Sequence, residues 1–514
     1  MSWWWLLFGP LLVFLLILLI GDIRAFLRIT KYKSQGFIRC YFPVLGQIKL
    51  FLPNKKYPKD GLHNFKTGIS ESRDGPGLVM NYAFGSTAVI YLTDPALIKE
   101  FLMKETQVSK RFEQQDLKVS FAFFFDSSDQ AMNHRMVFSE LFRVDVIDSF
   151  IDSITSEVRK HLDKVHSSNG NSDQFTFDWE KSHTELLKGL ANTILFGCPD
   201  TPPRVKDEQN TMVVDAVFNL IKGPVADAVF NPLNFLFFGY PNKYNLLPSS
   251  KRAVKMAKQI HEGIETLYNQ RLNDSKYTPG VNTLDLMLTH NKKSEGQNSG
   301  HYKFSMTHIV GDMVLFLFAG SDSTSKTLGA CVYFLAKHPE VAEKVYAELD
   351  KTGLGKGSTV PLRVDLINTL VYLEAVLKEC MRLAAVAPAS FDKIITEDFA
   401  LGPYKFSKGD KIVLPYVYHF ACDKYFPEPE KFDPERFLGT RAKTIPQMAF
   451  IPFSSGKRGC LGRNLAETII KVSLIEMLRR FKLHLTEDKQ TNGWTLGMGG
   501  INQEHCTVVC TVRA

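Results

Sequence analysis

Ten residues near the C-terminal end limit what this chain can fold into: Phe453-Ser-Ser-Gly456-Lys-Arg458-Gly-Cys460-Leu-Gly462. A single cysteine sits in a glycine-rich loop that runs directly into an apolar-periodic segment beginning near Asn464. Leu461, Leu465, Ile469 and Val472 recur at helical spacing, so Cys460 lies at or just before a helix N-terminus. The helix dipole and the unpaired backbone N–H groups there favour a thiolate. Gly456 and Gly462 allow a tight turn and let the backbone approach a flat ligand. Arg458 offers a planar, permanently charged fork for a carboxylate.

A haem meets these demands together, with Cys460 as axial ligand to the iron and Arg458 on a propionate. A structural cysteine in a turn would need none of the companions. Phe453, Gly456, Arg458, Cys460 and Gly462 all stand at fixed offsets, a coincidence on the order of one in ten thousand at about one in twenty per position. The stretch closely resembles the haem-binding loop of the cytochrome P-450 family of haem-thiolate monooxygenases. The resemblance extends over nearly the whole chain, with its specific motifs in the C-terminal part. It implies a mainly α fold with small β-sheets, a single large haem-thiolate domain, and haem b (iron protoporphyrin IX) between a central helix and the cysteine helix.

The N-terminus carries a second constraint. No charged side chain occurs from Met1 to Gly21, and 3–20 is almost entirely apolar. A helix of about 20 residues spans roughly 30 Å, the thickness of a bilayer core. Trp3, Trp4 and Trp5 stand where an interfacial belt would be, and Arg24, Arg28, Lys31 and Lys33 follow, opposed only by Asp22. A cleaved secretory signal would have a basic first region and a shorter apolar core. The expected organisation is a transmembrane signal anchor at 1–22, a basic and proline-bearing linker at 23–59, and the catalytic domain at 60–514, facing the cytosol from the endoplasmic reticulum membrane. The 8 cysteines show no CxxC pairing, which argues against a disulfide framework or a zinc site and fits a reducing compartment. A net charge of +8 is mild and is compatible with an acidic protein partner or an anionic membrane surface; no nucleic acid is expected.

Between these ends, 78–82 and 88–92 read as a β-hairpin and Asp94-Pro95 as the start of a helix to about Leu102. Helices are expected at 129–143, 147–164, 177–196, 207–222 and 250–273, and the polar, Gly-bearing stretch 276–301 reads as a surface loop. The run holding Phe121, Phe123 and Phe124 is core packing or, by resemblance, the substrate-contacting segment above the haem; an apolar substrate pocket would follow. The connector 231–239 is by resemblance a lid, or else core filling. Where the family carries Trp four residues before a propionate-binding Arg, this chain has Ala131 and Arg135, with His134 beside it as a further propionate candidate.

The segment 305–335 is the most apolar helix after the N-terminus, and Ala319-Gly320-Ser321-Asp322-Ser323-Thr324 lies in its middle. An acid and two hydroxyls inside a buried helix are costly unless satisfied or useful. Gly320 costs about 1 kcal/mol of helix propensity and the hydroxyls can bond backward and bend the helix, so a kink and a groove are expected there. Breaking an O–O bond takes two protons and hence a relay. Asp322 would carry them in, with Ser323, where the family usually has Thr, and Thr324 supplying hydroxyls.

Glu379 and Arg382 stand three apart on one helix face, a spacing shared by Glu140–Arg143 and Glu476–Arg479. The later Phe432-Asp-Pro-Glu-Arg436-Phe resembles the family segment whose Arg completes a structural Glu-Arg-Arg network. After Pro388 the family's propionate Arg is replaced by Lys393, or by Asp392 in a shifted register. Ala319, Val386 and Pro388 would line the substrate pocket, by resemblance.

The resemblance implies insertion of one atom of O2 into a hydrophobic fatty acid, sterol or xenobiotic. Electrons would come from an NADPH-dependent flavoprotein reductase, with cytochrome b5 as a second donor, since the chain has no GxGxxG-bearing βαβ unit of its own. Two other readings stand beside it: a haem-thiolate isomerase or dehydratase that does not use O2, and a membrane-anchored haem binder or sensor. Ser323 lacks the methyl that restricts a Thr rotamer. Ser323→Thr is therefore expected to lower peroxide released per NADPH consumed; an unchanged peroxide yield would refute that role for the methyl.

Overall fold

The structure, a computed structural model, describes residues 38–39, 78–83, 87–104, 108–110, 129–198, 200–225, 227, 246–277, 279–295, 302–390, 393–485, 494–497, 500–503 and 507–513. The chain divides into two compact units interleaved in sequence, one of 1–111, 378–460 and 491–504, the other of 112–377, 461–490 and 505–514.

The first unit is built on a six-stranded sheet in the order Ile38–Arg39, Leu78–Ala83, Thr87–Leu92, Lys411–Val413, Lys393–Ile395, Val108–Lys110. The expected hairpin is present, with Val79 opposite Tyr91, and Tyr91 lies beside Val413 in a parallel pairing. Helix Pro95–Met103 follows as the Asp-Pro pair dictates: the Asp94 carboxylate accepts the N–H groups of Ala96 at 2.6 Å and Leu97 at 3.3 Å. Its apolar face, Leu97, Ile98, Phe101 and Leu102, joins Ile90, Leu92, Leu401, Phe406 and Ile412 in one core.

The second unit is helical. Its axis is Met306–Lys337, capped by Ser305, whose hydroxyl oxygen accepts the His308 N–H at 3.2 Å. This central helix packs against Trp179–Phe196 and Arg463–Arg480, and Val144–Ser168 packs against the last two. A three-stranded antiparallel sheet places Thr507–Val512 between Phe481–Leu485 and Gln174–Asp178.

Two expectations are corrected. The stretch 276–301 is not all loop: Thr283–Glu295 is a helix, and Leu284, Met287 and Leu288 are fully buried. Their i, i+3, i+4 spacing was masked by polar flanks, and the Asn282 side chain caps the helix by accepting the Asp285 N–H at 3.0 Å. The helix expected at 207–222 begins only at Val213, because the preceding residues turn back to form an isolated bridge between Arg204 and Met212. The central helix runs unbroken through Gly320.

The anchor at 1–22, most of the linker 23–59, Phe121, Phe123 and Phe124, and the connector 231–239 lie outside the described residues. Among the described residues no helix is long and apolar enough to cross a membrane. Truncating Leu288 to Ala is expected to lower the unfolding free energy by about 2–5 kcal/mol in a urea titration. A residue in a solvent-exposed loop would change it by no more than about 0.5 kcal/mol.

Candidate active site

The cysteine loop is shaped by backbone that only certain residues tolerate. Ser454 has φ +59° and Gly456 φ +76°, and a 3₁₀ turn at Gly456–Arg458 follows. The Cys460 N–H closes the loop on the Phe453 carbonyl at 2.8 Å, and the Gly459 N–H on the Gly456 carbonyl at 3.0 Å. A Cβ on Gly459 would sit 3.3 Å from the Gly456 oxygen, so this turn favours glycine. The loop leaves Cys460 exposed, outside any disulfide, just before helix Arg463–Arg480, which has Gly462 as its N-cap. Phe453 and Arg458 are half-buried.

On the central helix most residues are buried, but Ala319, Gly320 and Ser323 are exposed on one face. A Cβ on Gly320 would meet nothing within 4 Å. Small side chains at 319 and 320 leave this face of the helix open. Thr324 is buried, so Ser323 alone of the two hydroxyl residues lies on the open face. The Ser323 hydroxyl donates to the Ala319 carbonyl at 2.8 Å. Asp322 is tied to Lys326, one turn on, at 2.6 Å.

Helix Asp129–Ser139 carries both propionate candidates. Arg135 is half-buried. His134 is buried, with Nδ1 2.7 Å from Asp312 and Nε2 2.6 Å from the Tyr302 hydroxyl. Both His134 ring nitrogens are engaged by these contacts. Lys393 is also buried, its ammonium 5.7 Å from the Phe101 ring centre. It stands in the sheet opposite Ile412 and Lys110. Val386 and Pro388 are half-buried, and the Pro388 carbonyl accepts the Val417 N–H at 2.9 Å.

Glu379, Arg382 and Arg436 meet, as their spacing and context lead one to expect. Arg382 grips the Glu379 carboxylate with two donors at 2.7 and 2.8 Å, and Arg436 Nε donates to it at 3.3 Å. All three are essentially excluded from solvent. Two contacts have no counterpart in the sequence reading: Arg159 joining the Glu476–Arg479 pair, and the buried contact of His134 with Asp312. An acid inside the apolar run 309–318 was the available signal for the second.

The residues present fit a thiolate-ligated haem. An exposed thiol is a soft donor suited to iron, and the turn before it is held open by Gly456. Replacing Glu379 by Gln leaves two buried guanidiniums without their counter-charge and is expected to cost about 3–5 kcal/mol, read as a lowered urea midpoint.

A family model described as Cytochrome P450 matches residues 43–504. Cytochrome P450 3A15 of Cavia porcellus is 32% identical over 237 residues, 46% of this chain and 44% of that protein, so the match spans less than half the relative's length. Cytochrome P450 3A16 of Mus musculus is 26% identical over 435 residues, 79% of each. The crystal structure of cytochrome P450DA heme domain aligns with a TM-score of 0.73 at 19% identity, covering 89% of this chain and 94% of that one, a likeness of fold. With a family model extending over nearly its whole length, the chain belongs to the cytochrome P450 family.

Proposed function

We propose that the protein is a haem-thiolate monooxygenase that inserts one atom of O2 into a hydrophobic organic substrate. Family membership implies a haem, and the observation that carries the reading is the exposed Cys460 thiol on a glycine-shaped turn at a helix start. When bound there, a thiolate-ligated haem supplies the electron-rich iron that favours O–O cleavage. Cys460 would be the axial ligand, and Arg458 and Arg135 would hold propionates through charge-assisted hydrogen bonds. Gly456 and Gly462 would keep the loop backbone close to the macrocycle, with Phe453 packed beside it.

The open face at Ala319 and Gly320 would admit small ligands, and Ser323 would accept or donate a hydrogen bond there. Asp322 can move a proton only by loosening its 2.6 Å contact with Lys326. Val386, Pro388 and the phenylalanines at 121, 123 and 124 would give the substrate pocket its apolar character, suited to a fatty acid, sterol or xenobiotic. Electrons would come from an NADPH-dependent flavoprotein reductase, with cytochrome b5 as a second donor. The N-terminal sequence would hold the protein in the endoplasmic reticulum membrane by a single span.

A second reading, a haem-thiolate isomerase or dehydratase, draws on one observation: both relay groups are engaged, Asp322 by Lys326 and Ser323 by its own helix. Substrate-dependent NADPH consumption in the presence of reductase separates the two, since only the monooxygenase needs it. The first test is the absorption spectrum of the reduced, carbon monoxide-bound protein beside Cys460→Ala. A strongly red-shifted Soret band in the wild type, lost in the variant, is expected. A haem band without that shift would overturn Cys460 as the ligand.

A further inference from the structure

Among the side chains of helix Asp129–Ser139 whose burial is described, only His134 and Phe138, one turn apart, are buried; Met136 is 66% exposed. Helices this short are marginal on their own, so the orientation of this one depends on those contacts. Phe138 stacks edge-on against Phe316 of the central helix with ring centres 4.8 Å apart, and it also meets Phe304 at 5.7 Å. His134 is held more specifically. Its Nδ1 lies 2.7 Å from Asp312 on the central helix, its Nε2 lies 2.6 Å from the Tyr302 hydroxyl, and the Phe304 ring stands 4.7 Å away.

The contacts form a directed chain. The Tyr302 hydroxyl also lies 2.6 Å from His308 Nδ1. A hydroxyl has one proton, so a consistent arrangement has His308 Nδ1–H donating to Tyr302, Tyr302 to His134 Nε2, and His134 Nδ1–H to Asp312. Burial pushes the Asp312 carboxyl up, against the pull of His134, and pushes Tyr302 up to about 12, with Asp312 adding to it. The other Asp312 oxygen, Oδ1, is buried with no partner among the described residues. A fully buried acid with one oxygen left unmatched is costly among the otherwise apolar residues 309–318, and it calls for a role. The same strut reaches further: the Phe142 ring meets Phe316 at 5.9 Å, and the Phe142 carbonyl accepts the Asn464 side chain at 3.4 Å at the start of the cysteine helix.

We propose that the Asp312–His134 pair is the positioning device for Arg135: it fixes the rotation of helix Asp129–Ser139 about its axis and thereby aims the neighbouring guanidinium at a haem propionate. The inference rests on the haem-thiolate reading above and on Arg135 as a propionate ligand. His134 touches no cofactor in this scheme and acts through Arg135. Asp312 supplies the fixed point because it belongs to a 32-residue helix most of whose residues are buried.

The test measures the rate of haem loss from the full-length ferric protein to excess apomyoglobin. Asp312→Val is expected to raise that rate about tenfold, the low end of what losing an outer partner costs at a metal site. Asp312→Asn keeps an oxygen for His134 Nδ1–H and is expected to restore most of the retention. Arg135→Gln alone should accelerate loss, and adding Asp312→Val to it should change the rate by less than about twofold, because contacts acting through one residue are not additive. Tyr302→Phe removes only one hydroxyl, is expected to fold, and should give a two- to threefold increase that is likewise absent in the Arg135→Gln background. Equal acceleration by Asp312→Val or Tyr302→Phe with and without Arg135 would overturn the proposal, since the chain would then merely hold the fold. If Arg135→Gln leaves haem loss unchanged while the Cys460 spectrum is normal, the propionate assignment of Arg135 fails and the proposal with it.

Discussion

The Glu379 carboxylate is the fixed point of its unit. It is fully buried, and it is tolerable there because Arg382 and Arg436 both reach it and the Asp433 N–H donates to it at 2.9 Å. The guanidiniums then spend their other donors on backbone carbonyls. Arg382 reaches Phe420 at 2.7 Å and Lys431 at 3.3 Å, while Arg436 reaches Glu428 at 2.7 Å and also Pro427. The segment from 421 to 460 contains only short turns of helix and so cannot satisfy its carbonyls by a regular ladder. Arginine side chains do that work, and Arg382 also lies over the Phe426 ring at 5.3 Å. The backbone carbonyls of Phe420, Pro427, Glu428 and Lys431 are thus tied, through the two arginines, to one buried acid.

The central helix handles its two acids in opposite ways. Asp322 is partly exposed and takes its partner from its own helix, Lys326, at the i+4 spacing that any sequence displays. Asp312 is wholly buried and takes its partner from a helix 178 positions earlier in the chain. The first kind of pairing is local and can be read in advance. The second depends on which helices meet, and a sequence shows only the anomaly of an acid in an apolar run.

Three Glu–Arg pairs at the same spacing make the limit of legibility concrete. Glu379–Arg382 and Glu476–Arg479 are buried pairs, the second shared with Arg159. In Glu140–Arg143 the arginine turns to Asp145 instead, with both partners about two-thirds exposed. Spacing permits a pair; burial decides whether it matters. The hairpin, the Asp94 cap and the limits of the central helix were legible because each rests on local chemistry. The helix Thr283–Glu295 was not, since composition outvoted a short apolar period. Of the two adjacent hydroxyl residues, Ser323 is exposed with Ala319 and Gly320 whereas Thr324 is buried, a difference that spacing alone does not show.

That geometry bears on how the open face could work. Ser323 returns its proton to the Ala319 carbonyl, so at rest its hydroxyl can accept but not donate outward. Such a back-bond is worth about 0.5–1.5 kcal/mol, and without a γ-methyl the serine rotamer is free to turn. Releasing Asp322 from Lys326 breaks a charge-assisted contact at 2.6 Å between two side chains that are each 15% exposed, a costlier step than turning a hydroxyl. The hydroxyl is therefore the first polar group on this helix able to respond to a ligand at Gly320, and the acid the second. An unbroken helix with small residues suits that order, because the backbone carbonyl that Ser323 would leave still keeps its own intrahelical bond.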